Sequence, residues 1–299
     1  MVAVWPGMGH VAISAGYYLM AKLSVHLLAE FRPLDLFEVE HVEVKGGLIR
    51  TGRLPRSRLF LWQSSGRGRH DIVVFIGEAQ PPLGKYAFCR RLIEFAQTLG
   101  VERVFTFAAM ATEMRPEQPS RVFGAATDEQ SLAELRRLEV GILEEGAIGG
   151  LNGVLLGVAA EKGLPGACLL GEIPHVLAQL PYPKASLAVL ETFATMAGLE
   201  LDLAELREHA RAAEEKFAEL FAAVERAMNN QEPAAEETPA AGESPQSRLA
   251  PEDEQRIEQL FKQAQRDRSK AYELKRELDR FGLFAQYEDR FLDLFKKPE

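Results

Sequence analysis

Five side chains suited to proton transfer stand at the ends of apolar runs in this chain: Glu78, Glu113 and Glu172, with His10 and His175. Carboxylates and imidazoles brought within hydrogen-bond reach of one substrate can do general acid–base work. They lie far apart in sequence, so only a fold that gathers strand ends would unite them. A second reading has each glutamate accepting hydrogen bonds from backbone amides of its own loop. Gly7, Gly9, Gln80, Asn152 and Gly153 flank the same positions and complete a candidate ligand edge with His10, Glu78, Glu172 and His175.

Other chemistries find less support. Gly7-Met8-Gly9-His10-Val11-Ala12 fits the permissive GxGxx[GA] pattern, but no acid closes a following strand at the spacing a dinucleotide site needs. No GxxxxGK[ST] and no GxSxG occurs, which argues against a P-loop and a serine-hydrolase elbow. The six histidines have no HxxxH, HExxH or His/Cys spacing, so no metal site is expected. Cys89 and Cys168 sit inside apolar runs and read as buried thiols of a reducing compartment. No catalytic residue and no cofactor is assigned.

The elements that must position these residues follow from periodicity. Val2–Trp5 reads as a strand, and small and apolar residues at helical spacing follow from His10 to Phe31. Strands are expected over Leu36–Val44, Arg58–Trp62, Asp71–Ile76, Arg103–Ala108, Arg121–Ala125 and Gly166–Leu170. Helices are expected around Phe88–Leu99, from Thr127 with Gln130 as a capping pair, over Asn152–Lys162, and from Pro183 to Gly198. This alternation predicts an α/β fold, a mainly parallel sheet flanked by helices. The glycines of the 146–163 stretch are expected to make a turn at Gly149-Gly150, let Gly153 and Gly157 approach the sheet, and end a helix at Gly163.

Past Asp202 the pattern changes. Leu203, Leu206, Ala210, Ala213, Phe217, Leu220, Val224 and Ala227 step by three and four, a seam for another helix or for the chain's own sheet. Residues 1–228 thus form an α/β domain ending in a long amphipathic helix, 229–250 read as a flexible acidic Pro/Ala linker, and 251–299 as a helical C-terminal extension. That extension carries Ile257, Leu260, Phe261, Leu274 and Leu278 on apolar stripes, which dock on the body or bind a partner. Phe217, Leu220, Val224, Leu260, Phe261, Leu274 and Leu278 are the candidate partner-binding residues.

A net charge of −9 leaves no electrostatic footprint for nucleic acid. Arg50, Arg53, Arg56, Arg58, Arg67 and Arg69 cluster locally, and the plainer reading is a solvated hairpin rim. Neither a signal peptide nor a membrane span is expected, which points to the cytoplasm.

Four stretches together resemble the PAC2 family, the proteasome assembly chaperone 2 homologues of archaea and bacteria. They are Trp5-Pro6-Gly7-Met8-Gly9-His10; Gly77-Glu78-Ala79-Gln80-Pro81-Pro82; Gly150-Leu151-Asn152-Gly153 with Cys168 to Pro174; and Tyr182 to Ser186 running on to Gly198-Leu203. The resemblance spans about residues 1–228. It implies a nucleoside phosphorylase/hydrolase-like fold, a homo-oligomer (a trimer among the options), and a non-enzymatic role as a chaperone or assembly factor for a proteasome-like or other complex. The alternative is a protein binding or converting a nucleoside-like or anionic small molecule, an analogy from fold alone. Archaeal relatives that dock on proteasome rings are expected to end in a hydrophobic residue, a tyrosine and one more residue. The ending Phe295-Lys296-Lys297-Pro298-Glu299 lacks that tail, which moves the expected partner contact to the C-terminal helices.

Overall fold

The computed structural model describes residues 1–32, 36–39, 42–64, 70–229 and 251–296; the side chains of 43, 45, 220, 222–229 and 251 are not among those described. In chain order the elements are β1 (Val2–Val4), α1 (Val11–Leu23), β2 (His26–Phe31), β3 (Val42–Lys45), β4 (Leu48–Thr51), β5 (Ser57–Trp62), β6 (Ile72–Gly77), α2 (Lys85–Thr98) and β7 (Val104–Thr112). Then come β8 (Val122–Ala126), α3 (Glu129–Arg137), β9 (Gly141–Ile142), α4 (Gly150–Glu161), β10 (Gly166–Pro174), α5 (Pro183–Ala197) and α6 (Ala204–Asn229). The described chain closes with α7 (Pro251–Arg266), α8 (Ala271–Arg280) and α9 (Phe284–Asp293).

Eight strands form one sheet in the order β2-β5-β6-β1-β7-β10-β8-β9, and β3-β4 is a separate ribbon. The centre, β6-β1-β7-β10, is parallel, while β2-β5, β5-β6 and β10-β8 run antiparallel. Helices cover both faces, so the central strands are apolar throughout and their side chains alternate between two cores. Val2, Val4, Val74, Ile76, Phe105 and Phe107 meet α1 and α5 on one face. Ala3, Trp5, Val73, Phe75 and Leu170 meet α2 and α4 on the other. Both cysteines lie buried in that second core, where burial pushes each thiol up to about 12 and leaves it a packing group.

Several expectations change. The helical spacing of 10–31 ends at Leu23, where Ser24 turns left-handed, and 26–31 instead pair with β5 as the sheet's edge strand. Pairing with a neighbour overrides the local pattern there. The strand expected over 36–44 is confined to β3, and 36–39 are not in it. The α3 cap is Asp128, which accepts from the Ser131 amide at 2.9 Å, not Thr127 with Gln130. The linker expected over 229–250 falls, save for Asn229, outside the described residues.

The C-terminal segment docks on the body. Leu260, Phe261, Leu274 and Leu278 are buried in the same core as α1, so their apolar stripes are covered by the chain itself. Tyr17 packs edge-on against Phe284 and Phe291, Tyr18 against Tyr272, and Phe60 against Phe295. These helices therefore continue, over β5 and β2, the layer that α5 and α1 lay over the rest of the sheet. On α6, Leu206 and Ala210 are buried and Phe217 stacks on Tyr182 at 5.8 Å, so that seam also meets its own chain. The side chains of Leu220 and Val224 lie outside those described.

Candidate functional site

The parallel strands end at one edge of the sheet, where ligands collect in α/β folds. Gly9 lies in the turn after β1, where its amide donates to the Ala178 carbonyl at 2.7 Å and its carbonyl accepts from the Tyr182 amide at 2.8 Å. It thus staples the β1 loop to the loop after β10. Gly7 and His10 flank it in the open, His10 with a left-handed φ of 49°. His175 stands 3.4 Å from Glu113, both largely exposed, and turns toward no other candidate acid.

Gln80 bridges two loops. Its carbonyl accepts the Leu151 amide at 3.1 Å, satisfying an orphan donor in the first turn of α4, and its amide nitrogen lies 3.5 Å from the Pro6 carbonyl. Gly150 makes room for this: at φ 70° it is left-handed, and a Cβ there would sit 2.7 Å from the Gln80 side-chain oxygen. Gly153 proves necessary for a reason other than sheet packing, since its Cβ would lie 1.9 Å from the Ile148 carbonyl, inside the helix's own entry turn. Gly157 has open space beside it and faces away from the sheet. Asn152 is buried; its backbone carbonyl accepts from the Thr106 hydroxyl at 3.1 Å, and its side-chain oxygen has no partner.

Glu172 is buried at the end of β10 and fully engaged. Both of its oxygens accept from Arg121, at 2.7 Å each, and one also accepts from the Thr112 hydroxyl at 2.8 Å. The Arg121 fork holds its carboxyl below the ordinary glutamate range, against the opposing effect of burial. A carboxylate gripped bidentately by an arginine is a strut between β10 and β8, poorly suited to trading protons. A cleft of about 490 Å³ opens beside it, lined by Thr112, Gln118, Arg121 and Glu172.

Glu78 belongs to a separate cluster. It accepts from the Arg56 amide at 2.9 Å and from Arg53 at 2.7 Å, with Arg58 at 3.6 Å. Burial pushes its carboxyl up, and those three partners offset part of the rise. Of the arginines read from sequence as a solvated rim, Arg50 and Arg53 are exposed, but Arg58 is 1% exposed, inside the cluster. Arg67 and Arg69 fall outside the described residues. The edge thus holds separate groups around Gln80, Glu172 and Glu78, in which Glu172 and Glu78 act as internal ties, while Glu113 stays exposed beside His175. Arg121, Thr112 and the α9 acids facing Arg58 escaped the sequence reading. The acidic pair Glu288-Asp289 within an aromatic helix was the available signal for the last of these.

A second cleft, about 500 Å³, lies at the opposite edge between Leu28, Leu61, Ile72, Phe105, Phe193 and Met196, and contains none of the candidate residues. Among the described residues no His, Cys, Asp and Glu cluster is placed to hold a metal ion, and no helix is long and apolar enough to cross a membrane.

A model of the PAC2 family matches residues 1–221. The chain belongs to the PAC2 family. Solved PAC2 structures share its architecture: a Streptomyces avermitilis PAC2 family protein is 27% identical with a TM-score of 0.62, over 74% of this chain and 94% of that one. Pyrococcus furiosus PbaB, an archaeal proteasome activator, is 26% identical with a TM-score of 0.61, over 73% of this chain and 91% of that one. A proteasome-assembly chaperone homologue of Mycobacterium tuberculosis, 24% identical over 73% and 94% of the two chains, shares the fold with a TM-score of 0.63. An uncharacterised protein of Methanocaldococcus jannaschii is 29% identical over 147 residues, 48% of this chain; the match spans about half of that relative, 55% of its length. The PAC2 match stops short of α7–α9.

Proposed function

We propose that this PAC2 protein is a non-enzymatic, homo-oligomeric cytoplasmic chaperone or assembly factor that binds protein subunits, those of a proteasome-like complex first among them. The observation carrying this reading is how the strand-end edge is used. Its two buried acids, Glu78 and Glu172, are tied to the protein's own arginines, amides and hydroxyls, while Met8, Leu83, Val176 and Leu180 stand exposed on the same loops. The bond between Gly9 and Ala178 holds the loops of Met8 and of Val176 and Leu180 against each other. An apolar patch with a polar rim suits a protein surface better than a small polar substrate. The names of the matched relatives, a proteasome activator and an assembly-chaperone homologue, point to the same class of partner.

The test is co-elution of the full chain with core-particle subunits of its own source, or with the subunits of another ring complex, on size exclusion with light scattering. A complex is expected, and Val176→Asp should weaken it at least about tenfold while leaving the melting temperature unchanged. Absence of any such complex, combined with a melting temperature raised by nucleosides or phosphate, would instead favour a small-molecule ligand.

A further inference from the structure

The cluster around Glu78 is not closed by the body of the fold. Three guanidinium groups, of Arg53, Arg56 and Arg58, meet two body carboxylates. Arg56 forks onto Glu30 at 2.6 and 2.5 Å, and Arg53 takes Glu78 at 2.7 Å. That leaves one positive charge in excess at a place where Arg58 is almost wholly buried. Asp289 of α9 supplies the missing carboxylate and touches all three arginines: Arg53 at 2.5 Å, Arg56 at 3.0 Å, and Arg58 in a short hydrogen bond. Even so, Nε and Nη1 of Arg58 find no hydrogen-bond partner. The contact spans about two turns of an amphipathic helix, with Phe284 and Phe291 seated on Tyr17 and Glu288 accepting from the Tyr17 hydroxyl.

Two further facts bear on this contact. The donor of the third carboxylate lies outside the PAC2 match, which ends at residue 221. The segment is joined to α6 only through residues 230–250, a stretch whose covalent reach is at most about 70 Å.

We propose that Arg53, Arg56 and Arg58 form a carboxylate receptor on the PAC2 body, that Asp289 fills it in cis, and that α8–α9 is a displaceable cap whose place an acidic, aromatic-flanked helix of a protein partner takes. Planar guanidinium groups match the oxygens of a carboxylate with directed N–H bonds, and here three of them converge on one. The aromatic seat beside them excludes a free inorganic anion as the full occupant, since only a side chain next to the carboxylate can cover Tyr17 and Phe60. A tethered cap competes with a partner at a high effective concentration, so the receptor stays shut until the partner is held elsewhere on the surface or the cap is weakened. This inference is independent of which complex the protein serves.

The test uses the full chain and, as probe, a fluorescent peptide with the sequence of residues 281–296. In the Asp289→Arg chain the cap is repelled from an intact receptor, and the peptide should bind at least about tenfold more tightly than to the wild-type chain. A peptide with asparagine in place of its aspartate at position 289 should lose that gain. Equal binding of both peptides, or no binding to either chain, overturns the proposal. A second measurement does not depend on that variant folding: a protease site placed within 230–250 of the full chain is cut, and excess peptide is added. Release of the 251–299 fragment with the near-ultraviolet circular dichroism of the body unchanged supports the cap. A fragment that never exchanges, or a body that unfolds when it leaves, overturns it.

Discussion

Glu172 and Glu78 occupy the same edge of the sheet, at the ends of parallel strands, and both are nearly inaccessible to water, yet they are satisfied in opposite ways. Glu172 meets Arg121 and Thr112, all within the PAC2 body, and its charge is matched one to one. Glu78 shares three arginines with Glu30 and needs Asp289 from beyond the family's matched residues to balance the charge. The difference separates a strut from a joint. A pair that closes on itself holds two strands together whatever else binds, whereas an unbalanced group leaves its last partner to be chosen.

The comparison can be broken most severely through the two apolar regions behind these groups. Phe107→Ala, in the central core, should cost about 3–5 kcal/mol of global stability in denaturant unfolding. Phe291→Ala removes as large a ring, but its effect should fall on docking of the cap: faster proteolysis within α8–α9 and a body whose main unfolding transition barely moves. Equal losses in the main transition for both variants would make α9 part of one cooperative core. Next in size, Glu172→Ala should lower stability by about 1–3 kcal/mol, because a buried hydrogen-bonded carboxylate is lost while its arginine partner can turn to solvent. It should leave cap proteolysis unchanged; an effect there would couple the two ends of the edge.

The smallest effect is a pH dependence. Burial, and then Glu78, push Glu288 up to about 7 from an ordinary 4.5, while Tyr17, Arg53 and Arg58 counter the rise. A carboxyl whose proton is held more tightly when docked weakens docking progressively as pH climbs from about 4.5 to 7, with no further change above that. Asp289 works the other way. Burial alone would raise it, but Arg53 and Arg58 hold it at about 2, so its contribution is lost only as pH falls below its ordinary 3.8 toward that value. Cap docking should therefore be tightest between about pH 4 and 5. Glu288→Gln should abolish the decline between pH 5 and 7, measured as the proteolysis rate within α8–α9; a decline that persists would place the titrating group elsewhere.

The parts of the fold that sequence reveals are those whose environment is the same on every side. β6 is buried on both faces and reads as an uninterrupted apolar run, and β5, β7 and β10 carry shorter apolar runs of the same kind. The passage from α1 to β2 does not announce itself, since no glycine or proline marks Ser24 and the run beyond it is as apolar as the helix. Gln80, Glu172 and Glu78 were legible as polar residues at strand ends. Their partners were not: Arg121 and Asp289 reach them only because β8 and α9 are brought there by folding. The stripes of α7 and α8 carried a different ambiguity, because an apolar helix face specifies that it will be covered without specifying by what.

One contact of the last described residues acquires a separate meaning. β2 is an outer strand of the eight-stranded sheet, and the carbonyl of Phe295 accepts the Leu27 amide at 2.8 Å. An uncovered outer strand is a template onto which any other extended chain can add itself. The end of the C-terminal segment thus serves as a guard against sheet-to-sheet aggregation. If the helices lift without something to replace them, the hazard is fibre growth, which gives selection a reason to keep uncapping brief and tied to capture.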